Sequence, residues 1–324
     1  MKAAVLHQLG TSPIYSDFPE PVPQTDEQLI VHVKAAAVHN LDKGRASGKH
    51  YANYSNLPTV VGFDGVGTLE DGSRVYAQGV TGMIAQKSII NKKQVTTLPD
   101  NLSFSLAAAL PNAIMGSAMP LVNRAKLQKG ETVFINGATG VTGLLAFQLA
   151  QYYGASTLIV SGRNPHLLDQ LKQAGANEII SLNQKDEAII EQIKAIHQQT
   201  PIDIVIDYLW GKPIELLIRS LTSGGIHRLP HRTRVVAVGE MAGAAIHLPS
   251  AVLRSSALEL IGSGLGSFSQ QDLLDYKTKF LPEIFELAAL GKIAINIQQE
   301  TLENIEEAWT QKVEAGKKMV IQIT

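Results

Sequence analysis

Val133-Phe134-Ile135-Asn136-Gly137-Ala138-Thr139-Gly140-Val141-Thr142-Gly143 joins a short apolar run to a glycine turn and the start of a helix-forming segment. Only glycine lets a backbone turn this tightly and approach a pyrophosphate, and the helix that follows offers unpaired N–H groups and a favourable dipole. The spacing is G-x-x-G-x-x-G, whereas the standard fingerprint is G-x-G-x-x-G, and strand-to-helix turns reach such spacings by chance. On the loop alone two readings stay open: a dinucleotide phosphate site, or glycines that only allow close helix packing.

Outward from the loop, apolar strands and amphipathic helices alternate. Strands are expected at 132–136, 156–161, 178–181, 202–207, 234–238 and 258–262, with helices at 143–153, 165–173, 187–197 and 214–221. Nearly continuous apolar strands, most of them followed by a helix, predict a doubly wound parallel sheet covered on both faces, an α/β fold. Upstream, the β-branched runs 28–37, 59–67, 74–78 and 83–90, separated by Gly, Pro and Asp, predict a small β-rich domain of the barrel type. Ala-rich helical sequence follows at 106–110 and 114–125. After 264 the βαβ rhythm stops: a helix at 270–291, a strand at 293–297, a helix at 303–316 and a strand at 319–323 are expected to return to the first domain. The domain expectation is therefore 1–115 with 265–324, and 116–264.

A chain of 324 residues with 45% hydrophobic content fits about two domains of roughly 150 residues. With 28 basic and 29 acidic residues the net charge is -1 and no block of like charge stands out, so nothing marks a nucleic-acid or anionic-membrane surface. The opening Met1-Lys2-Ala3-Ala4-Val5-Leu6-His7 is too short an apolar run for a signal peptide, and no stretch is expected to span a membrane, which makes a cytoplasmic protein the default. The chain has no cysteine, which excludes disulfides, a thiol nucleophile and thiolate-bound metal.

The residues at the end of the next strand bear on the cofactor. An acid there would hold a ribose 2'-hydroxyl; this chain has Ser161-Gly162-Arg163-Asn164 instead. A guanidinium pairs with phosphate through two charge-assisted hydrogen bonds, so the expected cofactor is NADPH. The cofactor-binding expectation comprises Gly137, Thr139, Gly140, Val141 and Gly143 of the loop, and Ser161, Arg163 and Asn164. Ligands of open α/β sheets lie along the carboxyl edge, which adds Tyr208, Val238 and Gly239.

Other segments carry a resemblance: Met1-Lys2-Ala3; Ala37-Val38-His39-Asn40-Leu41-Asp42 with Ser47-Gly48; Val61-Gly62-Phe63-Asp64-Gly65-Val66-Gly67; Ala107-Ala108-Ala109-Leu110-Pro111. So do Lys129-Gly130-Glu131-Thr132-Val133, Gly175-Ala176 and Gly316-Lys317-Lys318-Met319-Val320. In this order and spacing the chain resembles, over essentially its whole length, the medium-chain dehydrogenase/reductase superfamily, in its zinc-free quinone oxidoreductase-like subgroup. The resemblance implies a GroES-like β-barrel-type catalytic domain beside a Rossmann domain. It places Asn112 and Ser117 on a joining segment close to the nicotinamide, and Gly262-Ser263-Gly264 as backbone N–H groups near the carboxamide.

Zinc-dependent members of the superfamily carry G-H-E where this chain has Gly62-Phe63-Asp64. With Phe at the histidine position and no cysteine, a tetrahedral zinc of the N/S type is not expected; His227 and His231 lie four apart without a helical pattern. Lacking a Lewis acid to stabilise an alkoxide, the protein is better suited to an electron-poor acceptor. The expectation is a metal-independent oxidoreductase, dependent on NADPH, that transfers hydride to a small quinone or α,β-unsaturated carbonyl. Members of the subgroup often have Asn where this chain has His39, and some have Tyr where it has Gly44. Candidate catalytic residues are therefore Tyr51 and Tyr54, each able to offer a phenol to a carbonyl, and Asp42, able to orient a neighbour. Alternatives are an enoyl-thioester reductase, for which the basic residues Lys43, Arg45 and Lys49 are few, and a non-catalytic NADPH-binding or redox-sensing protein. A homodimer is the base-rate expectation for a soluble oligomer.

Overall fold

The computed structural model describes residues 1–49, 52–222 and 231–324. The chain forms two compact units, Met1–Asn112 with Leu274–Thr324, and Ala113–Leu273. The second cut falls at 273, where the sequence suggests 264. The reason is a set of bonds that keep the intervening turns with the second unit: Arg124 donates to Gly262 O (2.8 Å) and Ser267 O (3.2 Å), and Asn123 Nδ2 donates to Asp272 Oδ1 (2.6 Å).

The first unit opens with strands β1 (Lys2–Leu6), β2 (Ile14–Asp17) and β3 (Gln28–Ala37), followed by helix α1 (Asn40–Ala46). Strands β4 (Thr59–Val60), β5 (Asp64–Thr68), β6 (Arg74–Gly79) and β7 (Lys87–Thr97) follow. β1 pairs antiparallel with β2 and β4. β3 pairs with both β5 and β7, β5 with β6, and β6 with β7, so these four strands close a ring. The last of them starts later than its apolar run suggests: of residues 83–85, which are fully buried, only Ala85 makes a bridge, to Ala3.

Helix α2 (Phe104–Ala118) is one helix through Pro111 where the sequence suggests two, and it continues as a π-turn over Met119–Arg124. Together, Phe104–Arg124 are long and apolar enough to cross a membrane, contrary to the sequence expectation, but 72% of the apolar window is buried inside the protein. Its side chains are used as core.

The second unit runs β8 (Thr132–Asn136), α3 (Val141–Tyr152), β9 (Thr157–Gly162), α4 (Pro165–Gln173), β10 (Glu178–Ser181) and α5 (Asp186–Gln199). It continues with β11 (Ile204–Asp207), α6 (Gly211–Thr222), β12 (Thr233–Ala237), α7 (Ser250–Arg254) and β13 (Leu258–Gly262). All six strands are parallel, in the order β10-β9-β8-β11-β12-β13. This is the 3-2-1-4-5-6 Rossmann order, whose switch point lies between its first and fourth strands, here β8 and β11. Every residue of β8 and β11 is buried, as strands covered on both faces require.

Helices α8 (Gln270–Asp275) and α9 (Leu281–Ala289), joined by a π-turn, lead to β14 (Asn296–Thr301), α10 (Ile305–Thr310) and β15 (Lys317–Gln322). β15 pairs antiparallel with β3 and parallel with β14, so the chain's end completes the β-rich sheet. Leu302, Ile305, Trp309, Met319 and Ile321 share its core with Val31, Val33, Met83 and Ile84. The fold is thus α/β: a barrel-like antiparallel sheet and a Rossmann sheet.

Candidate functional site

In the second unit, parallel register aligns the strand ends. Asn136 stands opposite Ser161 and Asp207, Asp207 opposite Ala237, and Ala237 opposite Gly262. The segments that begin at Gly137, Arg163, Tyr208, Val238 and Ser263 therefore leave the sheet along one edge, with Gly137 and Tyr208 flanking the switch point.

Two glycines of the loop differ in what they leave room for. A Cβ at Gly143 would lie 2.6 Å from Gly137 O and 2.7 Å from Ala138 Cα, so this glycine is needed for the helix to pack on its own loop. A Cβ at Gly140 would meet only Gly137 O, at 3.7 Å, and its φ of -84° suits any residue. Nothing within the chain requires glycine at 140. A ligand lying against the N-terminus of α3 would, and a pyrophosphate fits both the open space and the dipole.

Beneath the loop runs a buried polar chain. Gly137 N–H donates to Ser161 Oγ (3.2 Å), Ser161 Oγ donates to Asn136 Oδ1 (2.6 Å), and Asn136 Nδ2 donates to Asp207 Oδ1 (2.8 Å). The Asp207 carboxylate also accepts from the amides of Leu209 (3.2 Å) and Trp210 (3.0 Å). Burial raises its pKa, and these donors pull it back. Asn136, which the sequence reading passed over, ties β8 to both neighbours.

This chain corrects several roles. Ser161 is fully buried and braces the loop, so it does not offer its hydroxyl to a phosphate. Asn164 caps α4, its Oδ1 accepting from Leu167 N–H (3.1 Å). The Ser117 hydroxyl donates to Ala113 O (2.7 Å) and the Tyr208 phenol to Gly116 O (2.8 Å), while burial pushes the phenol's pKa up. The Val238 and Gly239 amides both donate to Asp207 O, at 2.8 and 3.2 Å. Ser263 N–H donates to Ala237 O (2.8 Å) and Gly264 N–H to Ser267 Oγ (3.0 Å), so the amides expected to be free near a carboxamide are engaged within the fold. Thr139, Val141 and Gly262 lie at the sheet edge as expected. Arg163 is exposed, and among the described residues no hydrogen bond or ion pair engages its guanidinium.

The first unit holds a second polar cluster. His39 Nε2 lies 2.7 Å from Asp64 Oδ1, and the Tyr76 hydroxyl donates to Asp64 Oδ2 at 2.9 Å. His39, Asp64 and Tyr76 are 1%, 3% and 4% exposed. Because Tyr76 donates to one Asp64 oxygen and the imidazole approaches the other, the carboxylate is the acceptor on both sides and His39 Nε2 carries the hydrogen. Asp42, fully buried, accepts from His39 N–H (2.9 Å) as the acid of a capping interaction at the start of α1. That is a structural role for a residue expected to be catalytic. Burial raises its pKa against the lowering pull of His39. Lys318 on β15 sits in the field of Asp64 and Asp42, and burial lowers its pKa.

Two atoms of this cluster, His39 Nδ1 and Asp42 Oδ1, are buried with no hydrogen-bond partner among the described residues. Sequence reading missed Asp64, Tyr76 and Lys318. Asp71-Gly72 in the β5–β6 hairpin held the signal for the pair: a turn there registers Val66 against Tyr76 and Asp64 against Gln78, so Asp64 and Tyr76 become diagonal neighbours on one face.

Of the expected phenols, Tyr51 lies outside the described residues. Tyr54 lines a cavity of about 410 Å³ with Phe18, Arg45, Phe63 and Thr81. The Arg45 guanidinium stacks 4.2 Å from the Tyr54 ring centroid, and Gly62 N–H points to the phenol oxygen at 3.4 Å. Burial, with a contribution from the Asp42 charge, raises the Tyr54 hydroxyl to about 12. Among the described residues no three His, Cys, Asp or Glu side chains are grouped to hold a metal ion.

Residues 141–280 match the zinc-binding dehydrogenase family. Human quinone oxidoreductase is 28% identical over 272 residues, covering 81% of this chain and 78% of that protein. The 2-methylene-furan-3-one reductase of Solanum lycopersicum is 29% identical over 180 residues, half of this chain and 46% of the reductase. In three dimensions, the quinone oxidoreductase from Thermus thermophilus, also described in complex with NADPH, superposes with a TM-score of 0.75 at 24% identity, covering 99% of this chain and all of that one. Fold and sequence together define an oxidoreductase built for a nicotinamide cofactor. The chain belongs to the medium-chain dehydrogenase/reductase superfamily and is quinone oxidoreductase-like.

Proposed function

We propose that this protein is an NADPH-dependent, zinc-free reductase of quinones or α,β-unsaturated carbonyls. The observation that carries the reading is the sheet edge itself: open space at Gly140 before a helix N-terminus, followed by an unengaged Arg163 where an NAD-preferring strand would end in an acid. The loop amides of 137–143 and the α3 N-terminus hold the pyrophosphate, and Arg163 pairs with the 2'-phosphate. Bound there, NADPH supplies the hydride. The names of the human and tomato relatives support a quinone or conjugated-carbonyl acceptor.

The donor set does not fit zinc: the chain lacks cysteine, Phe63 stands at the motif's histidine position, and the His39 Nε2 is taken by Asp64. The reaction is therefore assigned to acceptors that take hydride without a Lewis acid. The Tyr54 phenol, which keeps its proton at neutral pH, faces its cavity as a hydrogen-bond donor for a carbonyl oxygen.

Titration of Arg163→Ala with both cofactors tests the cofactor assignment. The variant should bind NADPH about tenfold to a hundredfold more weakly and NADH with unchanged affinity, the loss of roughly one charged hydrogen-bonded pair. Equal weakening toward both would overturn the assignment. A panel of quinones and enones tests the acceptor class: NADPH binding without oxidation by any of them would sink the reductase reading.

A further inference from the structure

Reduction of a quinone or enone by hydride leaves an oxyanion, and a proton has to reach that oxygen. In the cavity the Tyr54 phenol, raised to about 12, gives up a proton reluctantly, so it serves better as a hydrogen-bond donor than as an acid. The His39 cluster has a different build. Asp64 fixes one ring nitrogen at 2.7 Å and is itself fixed by Tyr76 at 2.9 Å, which determines ring orientation and places the hydrogen on Nε2. The other nitrogen, Nδ1, is buried and unpartnered, as is Asp42 Oδ1 three residues on. Leaving one buried polar atom without a partner costs about 1–3 kcal/mol, and two on the same turn of one helix call for a partner that arrives from outside the chain.

We propose that His39 is the proton donor of the acceptor half-reaction, with Asp64 and Tyr76 as its positioning residues; this rests on the reductase reading above. As hydride adds to the acceptor carbon, the carbonyl π electrons move to oxygen. The Nδ1–H bond of the charged imidazole breaks, its proton forms the O–H bond of the hydroquinone or enol, and the N–H electron pair stays on Nδ1. The ring ends neutral with hydrogen on Nε2, still donated to Asp64, and solvent restores the Nδ1 proton. While the ring is charged, Asp64 stabilises it as the carboxylate of a catalytic triad stabilises its histidine. The charged and titratable groups around the ring are Asp42 and Lys43 of α1, Asp64 of β5, Tyr76 of β6, Lys318 of β15, and, more distantly, Tyr54 and Tyr276.

The experiment compares wild type with His39→Asn, whose amide can still donate to Asp64 but cannot carry a proton, using one quinone and one enone. An enolate is the more basic product anion, so kcat for the enone should fall about a hundredfold or more, that for the quinone by far less, and the basic limb of the enone pH profile should disappear. Equal loss with both acceptors, or none, overturns the proton role and leaves the reductase reading standing. Wild type that binds NADPH but reduces neither overturns the reductase reading. Should the variant not fold, wild-type protein with 15N-labelled histidine answers the question. Addition of a phenol as a product analogue, with NADP+ present, should move the His39 Nδ1 resonance and leave Nε2 on Asp64; an unmoved Nδ1 overturns the proposal.

Discussion

The Rossmann edge and the His39 cluster are made from different materials. At the edge the groups offered to a ligand are main-chain amides and empty space, contributed by consecutive residues of one loop, with a buried side-chain network beneath that only braces it. In the β-rich unit the polar groups are side chains from α1, β5, β6 and β15, brought together by strand register. A site of the first kind tolerates change in side-chain chemistry but not in volume. One of the second kind tolerates neither loss of a partner nor loss of a proton.

The largest effect should come from volume at the edge. Gly143→Val adds atoms where a Cβ alone already meets Gly137 O at 2.6 Å, so the loop or α3 must shift. Destabilisation of about 3 kcal/mol by urea unfolding is expected, with NADPH binding abolished. Near-normal stability would mean that the loop is more plastic than its buried Ser161–Asn136–Asp207 support suggests. Tyr76→Phe tests the other material. It changes shape little but leaves Asp64 Oδ2 buried without its donor, and should cost about 1–3 kcal/mol while NADPH affinity stays as in wild type. A fall in NADPH affinity would break the contrast, because the two sites would then not be separable.

Gly140→Val comes next and separates fold from function at the edge. With only one neighbour at 3.7 Å in the chain, the side chain should change stability by no more than about 0.5 kcal/mol, while weakening NADPH at least about tenfold. Unchanged affinity would remove Gly140 from the phosphate site and return the loop to a packing motif.

The same contrast explains what the sequence makes visible. Strands 132–136, 178–181 and 258–262 and helix 165–173 have the bounds their patterns suggest, because each is a short apolar or amphipathic run closed by Gly, Pro or Asn. The loop is readable because its residues are contiguous. What contiguity cannot carry is a partner from elsewhere: Ser161 resembles a phosphate ligand until Asn136 is seen beneath it, and Asp64 resembles the remnant of a metal motif until Tyr76 and His39 close on it. Lys318 enters from the last strand, some 275 residues beyond Asp42 and Lys43. Pro111 misleads in the opposite direction, since burial keeps α2 continuous through a residue that favours a break.

The smallest expected effect is also the one that tests the cluster as a set of buried charges. Burial raises the Asp42 pKa above the 3.8 of an ordinary carboxyl, so between 3.8 and its folded value the native protein holds a proton there that the unfolded chain does not. Stability from this group is therefore gained as pH falls through that window and lost as pH rises through the folded value. In Asp42→Asn the group no longer titrates. The difference in unfolding free energy, wild type minus variant, should grow on acidification with a slope of at most about 1.4 kcal/mol per pH unit, the limit for one proton. A difference that instead shrinks with falling pH would mean that the His39 amide and the nearby positive charges hold Asp42 as a stabilised anion. The cluster would then favour charge through its own partners, as the polar chain beneath the glycine loop does through its amides, and the two regions would differ only in where those partners come from.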